Sequence, residues 1–173
     1  NKVFEVIEAK NIFNISYDKI SILSHPQSYI HAIIKFNNGL IKLIAHDTDM
    51  KIPIFNTLYR DQLKSIKSKK INFEKLNNLR LKSINIKKFP SIKILNILPK
   101  KNSLFETVVV SANDELVNLF LKNHISFTEI IKKLFIFIKN REFIKYKKKY
   151  PKNVNEIVKL SNYVRLKINT KSI

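Results

Sequence analysis

The stretch "YIHAIIKFNNGLIKLIAH", residues 29–46, carries the clearest indication of the fold. Two strand-like apolar runs, at 29–36 and 40–46, are separated by Asn37-Asn38-Gly39, which includes the chain's single glycine. A type I′ turn needs positive φ at both central residues, and Asn-Gly tolerates this well. The sequence therefore predicts an antiparallel hairpin closed by Asn38-Gly39. A two-residue loop there would make His31 and His46 cross-strand neighbours.

The segments around the hairpin have weaker patterns. Residues 2–13 carry apolar side chains at Phe4, Ile7 and Ile12, with Val6 and Ala9 between them, which predicts a short helix with one buried face. A strand is expected at 20–25, ending at Pro26, and a weak helix at 56–66. Within the lysine-rich stretch 61–103 we expect a strand, then a short helix between Pro90 and Pro99.

Helices dominate the remainder of the chain. Ser111 with Asp114 is expected to begin one, Ser126 with Glu129 forms a capping box before a second, and Asn153 with Glu156 starts a third. The third has apolar residues on one face, at Val154, Ile157, Val158, Val164 and Ile168. The predicted fold class is α+β: a short antiparallel sheet with helices, followed by an α-helical bundle.

Composition narrows the class of protein. A chain of 173 residues with 45% hydrophobic residues can bury a core as one domain or two small ones. No apolar run approaches the roughly 18 residues of a membrane span, and the absence of cysteine excludes disulfides and cysteine metal sites. The net charge of +20 comes almost entirely from lysine. Coding bias towards A+T explains a lysine-rich, glycine-poor composition, and the cationic surface is expected to bind polyanions weakly.

The first residues of the chain allow two interpretations. Glu5 and Glu8 lie three positions apart, hence on one face of the predicted helix, and Lys2 lies three before Glu5. They are either a solvated helix end stabilised by the macrodipole or a binding site. In a site, Asn1, Lys2 and the free amides of the helix start would bind a phosphate, and a carboxylate one turn later would bind a divalent cation.

Two other features have both a functional and a structural interpretation. His31 and His46 as a close pair suit a transition metal, although no third ligand is visible. Residues 132–150 interleave lysine with Phe and Tyr, which fits a module that binds nucleic acid or an anionic membrane surface. The helical spacing of these aromatics favours a core-facing stripe beside a solvated basic face instead. A chain with one glycine has no glycine-rich phosphate loop.

Several motifs in order resemble the 1-deoxy-D-xylulose 5-phosphate reductoisomerase family. The family's N-K-G-L-E-x-I-E-A corresponds to "NKVFEVIEA" at 1–9, and its H-P-Q-S-x-I-H to "HPQSYIH" at 25–31. Its P-D-M-x-x-P-I corresponds to "TDMKIPI" at 48–54, and its F-P-C-x-x-L to "FPSIKI" at 89–94. "SANDELVNLFLKNHISFTEI" at 111–130 is similar to the family's A-A-N-E segment. The resemblance spans nearly the whole chain and is sparse at 57–88.

The resemblance implies an enzyme that uses NADPH and Mg²⁺ or Mn²⁺ to make 2-C-methyl-D-erythritol 4-phosphate in non-mevalonate isoprenoid biosynthesis. It implies a catalytic role for Glu5 as metal ligand and for His31. It makes Asn1, Lys2 and Glu5 substrate-binding, and places Glu8 and Met50 along the active site. Residues 1–60 would be the second half of the central catalytic domain, 61–103 a linker and 104–173 the helical C-terminal domain.

Further expectations follow from the resemblance. The NADPH domain would lie outside this chain, so the chain alone should be inactive. The partners would be a sugar phosphate and a second copy in a homodimer; nucleic acid is not favoured. The location would be bacterial cytoplasm or a plastid-type organelle, with no targeting segment visible. Several residues depart from the family pattern: Val3 and His46 stand at glycines, Asp114 at a glutamate, Val110 at an asparagine, and Tyr59-Arg60 at a Trp-Pro.

Overall fold

A computed structural model describes residues 1–59 and 64–171. In chain order, its helices and strands are α1 (Lys2–Phe13), β1 (Leu23–Ser24), β2 (Ile30–Lys35), β3 (Ile41–Ala45), α2 (Lys51–Leu58), α3 (Phe73–Asn77), β4 (Lys82–Ser83), α4 (Leu104–Leu121), α5 (Phe127–Ile138), α6 (Arg141–Ile144) and α7 (Val154–Lys171). Short 3₁₀ helices lie at Tyr17–Lys19, Pro90–Asn96 and Lys145–Lys148. Helices with short antiparallel strand pairs confirm the α+β class.

The described residues form two compact units, one of residues 1–21 with those from 85 onward and the other of residues 22–84. These bounds differ from the division at 1–60, 61–103 and 104–173, because α1 packs against the 3₁₀ helix Pro90–Asn96 of the helical unit. The domain division of the whole protein stays a prediction.

Helix α4 is the centre of the helical unit. It packs against α7 along its length and against α5, and five of its side chains are essentially inaccessible to solvent: Phe105, Val108, Val109, Ala112 and Leu116. Their spacing of three and four residues gives the helix one continuous apolar face. Leu160, Val164 and Ile168 of α7 complete the core on that side.

The start of α4 differs from the expectation. The helix begins at Leu104, because Ser103 and Glu106 form a capping box in which the Ser103 amide donates to Glu106 Oε2 at 3.1 Å. Ser111 therefore does not begin a helix: it lies buried in the middle of α4, and its hydroxyl donates to Ser161 Oγ at 2.9 Å. The capping box of Ser126 with Glu129 and the start of α7 after Asn153 are confirmed.

The hairpin is confirmed, and its turn is not the expected one. The Gly39 amide donates to the Phe36 carbonyl (3.0 Å) and the Phe36 amide to the Leu40 carbonyl (2.9 Å), so the loop has three residues, Asn37–Gly39. Within this loop only Gly39 has positive φ, at +88°, so the turn is not type I′. A three-residue loop ending in a left-handed glycine is a common alternative.

In the rest of the second unit, the helices and strands agree only in part with those predicted from the sequence. The strand expected at 20–25 is only β1, which pairs antiparallel with β4. The helix expected at 56–66 lies earlier, as α2; residues 60–63 lie outside the described residues, and 64–66 are not helical. Helix α3 was not predicted. Among residues 1–59 and 64–171, no helix is both long and apolar enough to cross a membrane.

Candidate active site on helix α1

Helix α1 separates its side chains into a buried and an exposed face. Val3, Val6, Ile7 and Lys10 are buried, a spacing of three and four residues that points one side at the core of the helical unit. The expected apolar position Ile12 does not belong to this face, since 73% of its surface is exposed. Lys2, Glu5 and Glu8 are all exposed. The candidate residues Lys2, Glu5 and Glu8 thus lie on the solvent-exposed face of α1. The opposite face packs into the core and holds the helix in place.

The first turn of α1 combines a cation with a carboxylate. The Lys2 ammonium lies 2.6 Å from Glu5 Oε2, and both side chains are well exposed. An exposed ion pair of this kind contributes on the order of 0–1 kcal/mol, so a ligand that binds either group opens it at little cost. The pair therefore leaves Lys2 available for an anion and Glu5 for a cation.

The backbone at this end of the helix also favours anions. Asn1 is the N-cap residue, and its carbonyl accepts from the amides of Phe4 (2.8 Å) and Glu5 (3.0 Å). The amides of Lys2 and Val3 precede the first intrahelical bond, so they point out of the helix end with the positive end of the macrodipole. This arrangement, together with the Lys2 ammonium, suits a phosphate group.

The donor set fits part of a magnesium or manganese site. Glu5 and Glu8 offer carboxylate oxygens from successive turns of one helix, and Mg²⁺ in proteins commonly takes one or two carboxylates with substrate oxygens and water. Within the described parts of the chain, no three His, Asp or Glu side chains come together as a metal site. A metal ion bound by these carboxylates would therefore need further ligands from outside helix α1.

Lys10, which the sequence analysis did not single out, anchors α1 at its other end. It is 5% exposed, donates to Asn102 Oδ1, and lies 3.8 Å from Glu106 Oε1. Glu106 is the carboxylate that caps α4, so Lys10 joins α1 to the start of the central helix. The available signal was the spacing: Lys10 follows Val3, Val6 and Ile7 on the same helical face.

His31 and His46 are neighbours in the second unit, through a route other than the one expected. The register shifts between Ile30↔Ala45 and Ala32↔Ile44, which leaves His31 in a β-bulge. The bulge turns the His31 ring onto that of His46, with centroids 3.7 Å apart and planes 13° apart. His31 Nε2 lies 3.1 Å from the His46 carbonyl oxygen, and His46 Nδ1 lies 2.6 Å from that of Asp47. The two rings therefore stack on each other, and each has a nitrogen within hydrogen-bond distance of a backbone carbonyl oxygen.

Met50 and His25 of the second unit both lie next to the end of a helix or strand. Met50 immediately precedes α2 and is 68% exposed, beside an Asp49 carboxylate that accepts from the Lys51 amide. His25 Nδ1 lies 3.2 Å from the Arg80 carbonyl oxygen, which links the start of the "HPQS" segment to residues near β4.

Three of the departures from the family pattern, at Val3, Asp114 and His46, make defined contacts in this chain. Val3 lies within α1 and contributes to the core, so its side chain points away from Lys2 and Glu5 and does not crowd them. Asp114 in α4 forms an ion pair with Arg165 of α7 at 3.0 Å. His46 stacks on His31.

Known proteins match this chain in sequence and in fold. Residues 46–167 match the model of the DXP reductoisomerase C-terminal domain. The 1-deoxy-D-xylulose 5-phosphate reductoisomerase of Pelagibacter ubique is 55% identical over the whole chain, which covers 45% of that protein. That of Francisella tularensis subsp. novicida is 34% identical over 165 residues, covering 95% of this chain and 42% of the relative. The chain thus spans less than half the length of these relatives.

Solved structures agree on the fold. The 1-deoxy-D-xylulose 5-phosphate reductoisomerase of Zymomonas mobilis in complex with NADPH matches 99% of this chain and 44% of its own, with a TM-score of 0.83 and 26% identity. A DOX-P reductoisomerase in complex with NADPH, fosmidomycin and magnesium matches 99% of this chain and 43% of its own. Its TM-score is 0.85, and its 22% identity supports the fold alone. This chain belongs to the 1-deoxy-D-xylulose 5-phosphate reductoisomerase family.

Proposed function

We propose that this chain supplies the metal- and substrate-binding part of an enzyme that converts 1-deoxy-D-xylulose 5-phosphate to 2-C-methyl-D-erythritol 4-phosphate with NADPH. One observation carries the proposal most directly: α1 exposes Lys2, Glu5 and Glu8 while its opposite face is buried in the core. The 55% identity to a reductoisomerase along the whole chain supports the same assignment.

The phosphate of the substrate would bind at the start of α1. Its negative charge would meet the Lys2 ammonium, the outward amides of the first turn and the Asn1 side chain. Lys2 would then exchange its ion pair with Glu5 for the phosphate. Binding of the substrate phosphate would in this way release the Glu5 carboxylate for a cation.

Glu5 would ligate Mg²⁺ or Mn²⁺, with Glu8 at or near the same cation. A divalent ion bound there would polarise the substrate's carbonyl oxygen. The contribution of α1 is to hold the carboxylate at a fixed distance from the phosphate-binding residues, because both lie within one rigid helical turn. Magnesium and NADPH both occur in solved complexes of reductoisomerases that share this fold.

Other residues and partners belong to the same proposal. His31 would act near the reacting carbons, and Met50 would line the site. NADPH would be bound by the part of the protein outside this chain, since the chain covers 45% of its Pelagibacter relative. The chain alone would therefore show no turnover, and the intact enzyme would be a homodimer in the bacterial cytoplasm or a plastid-type organelle, acting in isoprenoid biosynthesis.

The intact protein that carries this chain tests the proposal. NADPH oxidation should require both 1-deoxy-D-xylulose 5-phosphate and Mn²⁺. Lys2→Met should raise the KM for the sugar phosphate at least about tenfold, because it removes a charge-assisted contact to the phosphate. Lys132→Met, on the exposed surface of α5, is the matched control. No NADPH oxidation in the wild type, or an unchanged KM in Lys2→Met, would contradict the assignment.

A further inference from the structure

A second basic site lies within the helical unit, at the other end of α1. A pocket with a volume of about 560 Å³ is lined by the last residues of α1 and those after it, by the turn before α4 and by residues around the 3₁₀ helix Lys145–Lys148. Five of its ten lining residues are lysines: Lys10, Lys100, Lys101, Lys147 and Lys148. None of the lining residues is acidic.

Few negative charges balance these lysines. Behind the wall, Glu106 pairs with the buried Lys10. Near the pocket, the pKa of Asp18 is lowered by hydrogen bonds from the Ser16 side chain and its own backbone, and to a smaller degree by the charges of Lys19 and Lys100. The five lining ammonium groups, with Lys19 beside Asp18, outnumber these two carboxylates. Like charges that line one pocket repel one another, so a multivalent anion would relieve the repulsion.

The walls of the pocket are held in place. The Leu104 amide donates to the Lys149 carbonyl at 2.7 Å, which joins the turn before α4 to the segment carrying Lys147 and Lys148. Lys147 Nζ lies 5.0 Å from the centroid of the buried Phe105 ring. Lys10 is fixed by its bond to Asn102, which itself lines the pocket. A scattered basic surface would lack these fixed positions.

The side chains match the chemistry of phosphate. Lysine offers a compact point charge with three rotatable donors, which suits an anion whose charge is spread over several oxygens. Neutral donors and acceptors from Asn14, Ser16 and Tyr150 also line the pocket. A diphosphate or triphosphate group carries about three to four negative charges and so neutralises more of this excess than sulfate, which carries two.

We propose that this lysine pocket binds an oligophosphate group, either free or as part of a nucleotide or another phosphate ester. The site is separate from the phosphate site proposed at the start of α1, since Lys2 and Lys10 lie at opposite ends of the helix. It does not depend on the reductoisomerase assignment.

Titration calorimetry of the intact protein with sodium triphosphate tests the proposal. The variant Lys100→Gln/Lys147→Gln/Lys148→Gln should weaken triphosphate binding at least about tenfold and reduce its salt dependence. The control Lys132→Gln/Lys139→Gln/Lys159→Gln removes the same charge from exposed positions on and near α5 and α7. It should keep the dissociation constant within about twofold. Equal losses in the two triple variants would overturn the proposal, because the binding would then follow net charge alone.

Further arms of the experiment fix the identity and the place of the ligand. ATP binding as tight as that of triphosphate, and weakened equally by the triple variant, assigns the site to the shared phosphate chemistry. Tighter ATP binding that the triple variant also weakens adds a nucleoside subsite to it. Sulfate binding as tight as triphosphate would overturn the oligophosphate assignment. The assignment would also be overturned if the triple variant lost affinity for a single-stranded oligonucleotide but kept its affinity for triphosphate. A loss of triphosphate affinity in Lys2→Gln as large as that in the triple variant would move the anion to the start of α1. If the triple variant does not fold, Lys148→Glu alone should still weaken binding, and unchanged affinity would contradict the site.

Discussion

At the scale of single residues, the buried cation Lys10 joins α1 to the start of α4. Its ammonium contacts Asn102 and Glu106, and it lies 4.9 Å from the centroid of the Tyr17 ring. Glu106 in turn binds the amide and hydroxyl of Ser103. Removing either charge of a buried pair leaves the other uncompensated. The two losses are unequal here: Glu106 keeps the two Ser103 donors, whereas Lys10 would keep the Asn102 oxygen and the Tyr17 ring but no carboxylate.

We therefore expect Glu106→Gln to lower the free energy of unfolding of the intact protein by about 3 kcal/mol, and Lys10→Met to lower it by less. Urea unfolding followed by circular dichroism measures both values. Glu74→Gln changes an exposed glutamate of α3 and should have little effect. Equal or reversed losses for Glu106→Gln and Lys10→Met would show that the cap and the buried pair are not coupled.

Tyr17 gives this cluster a pH dependence. Burial raises the pKa of the Tyr17 phenol well above 10, and the adjacent Glu106 carboxylate raises it further. The folded state then keeps a proton that the unfolded state releases above its pKa of about 10. This contribution to stability is complete below pH 10 and is lost as the pH rises through the folded-state pKa. Tyr17→Phe should therefore lose less stability than the wild type between pH 9.5 and 11 in urea unfolding. Parallel stability curves for the two proteins would contradict this linkage.

At the scale of secondary-structure elements, the two capping boxes differ in burial. Ser103 before α4 is 7% exposed and bonds Glu106 inside the unit, whereas Ser126 before α5 is exposed. Water can replace the Ser126 bonds and cannot easily replace those of Ser103. Ser103→Ala should cost about 1–2 kcal/mol of stability, and Ser126→Ala should cost less. Thermal unfolding of the two variants measures the difference, and a larger loss for Ser126→Ala would contradict it.

Local patterns predicted some elements and could not predict others. The hairpin, the second capping box and the start of α7 depend on residues within a few positions of one another, so the sequence shows them. The bulge at His31 and the three-residue loop depend on how the strands pair, which the Asn38-Gly39 signal alone does not determine. The start of α4 was missed because the S-x-x-E pattern occurs at Ser103 and the similar S-x-x-D pattern at Ser111, and burial selects the first.

At the scale of the whole molecule, the sequence predicts the residues of the candidate site but not the packing around them. The exposed Lys2, Glu5 and Glu8 follow from helical spacing and from the resemblance. Helix α1 packs against residues after position 85. These contacts join residues more than 80 positions apart in the chain, such as Lys10 and Asn102. Periodicity carries no information on such distant contacts. The lysine pocket was hidden for the same reason, since its lysines come from three separate segments.

The central claim is that Glu5 on α1 binds the catalytic metal, and Mn²⁺-dependent turnover of the intact protein tests it most directly. Glu5→Gln keeps the size of the side chain and removes the charged oxygen donor. We expect kcat at saturating Mn²⁺ to fall by two orders of magnitude or more, since even residues that only support a ligand change activity by about 10–100-fold. Glu74→Gln, at an exposed glutamate of α3, should retain wild-type kcat. An unchanged kcat and Mn²⁺ dependence in Glu5→Gln would contradict the account.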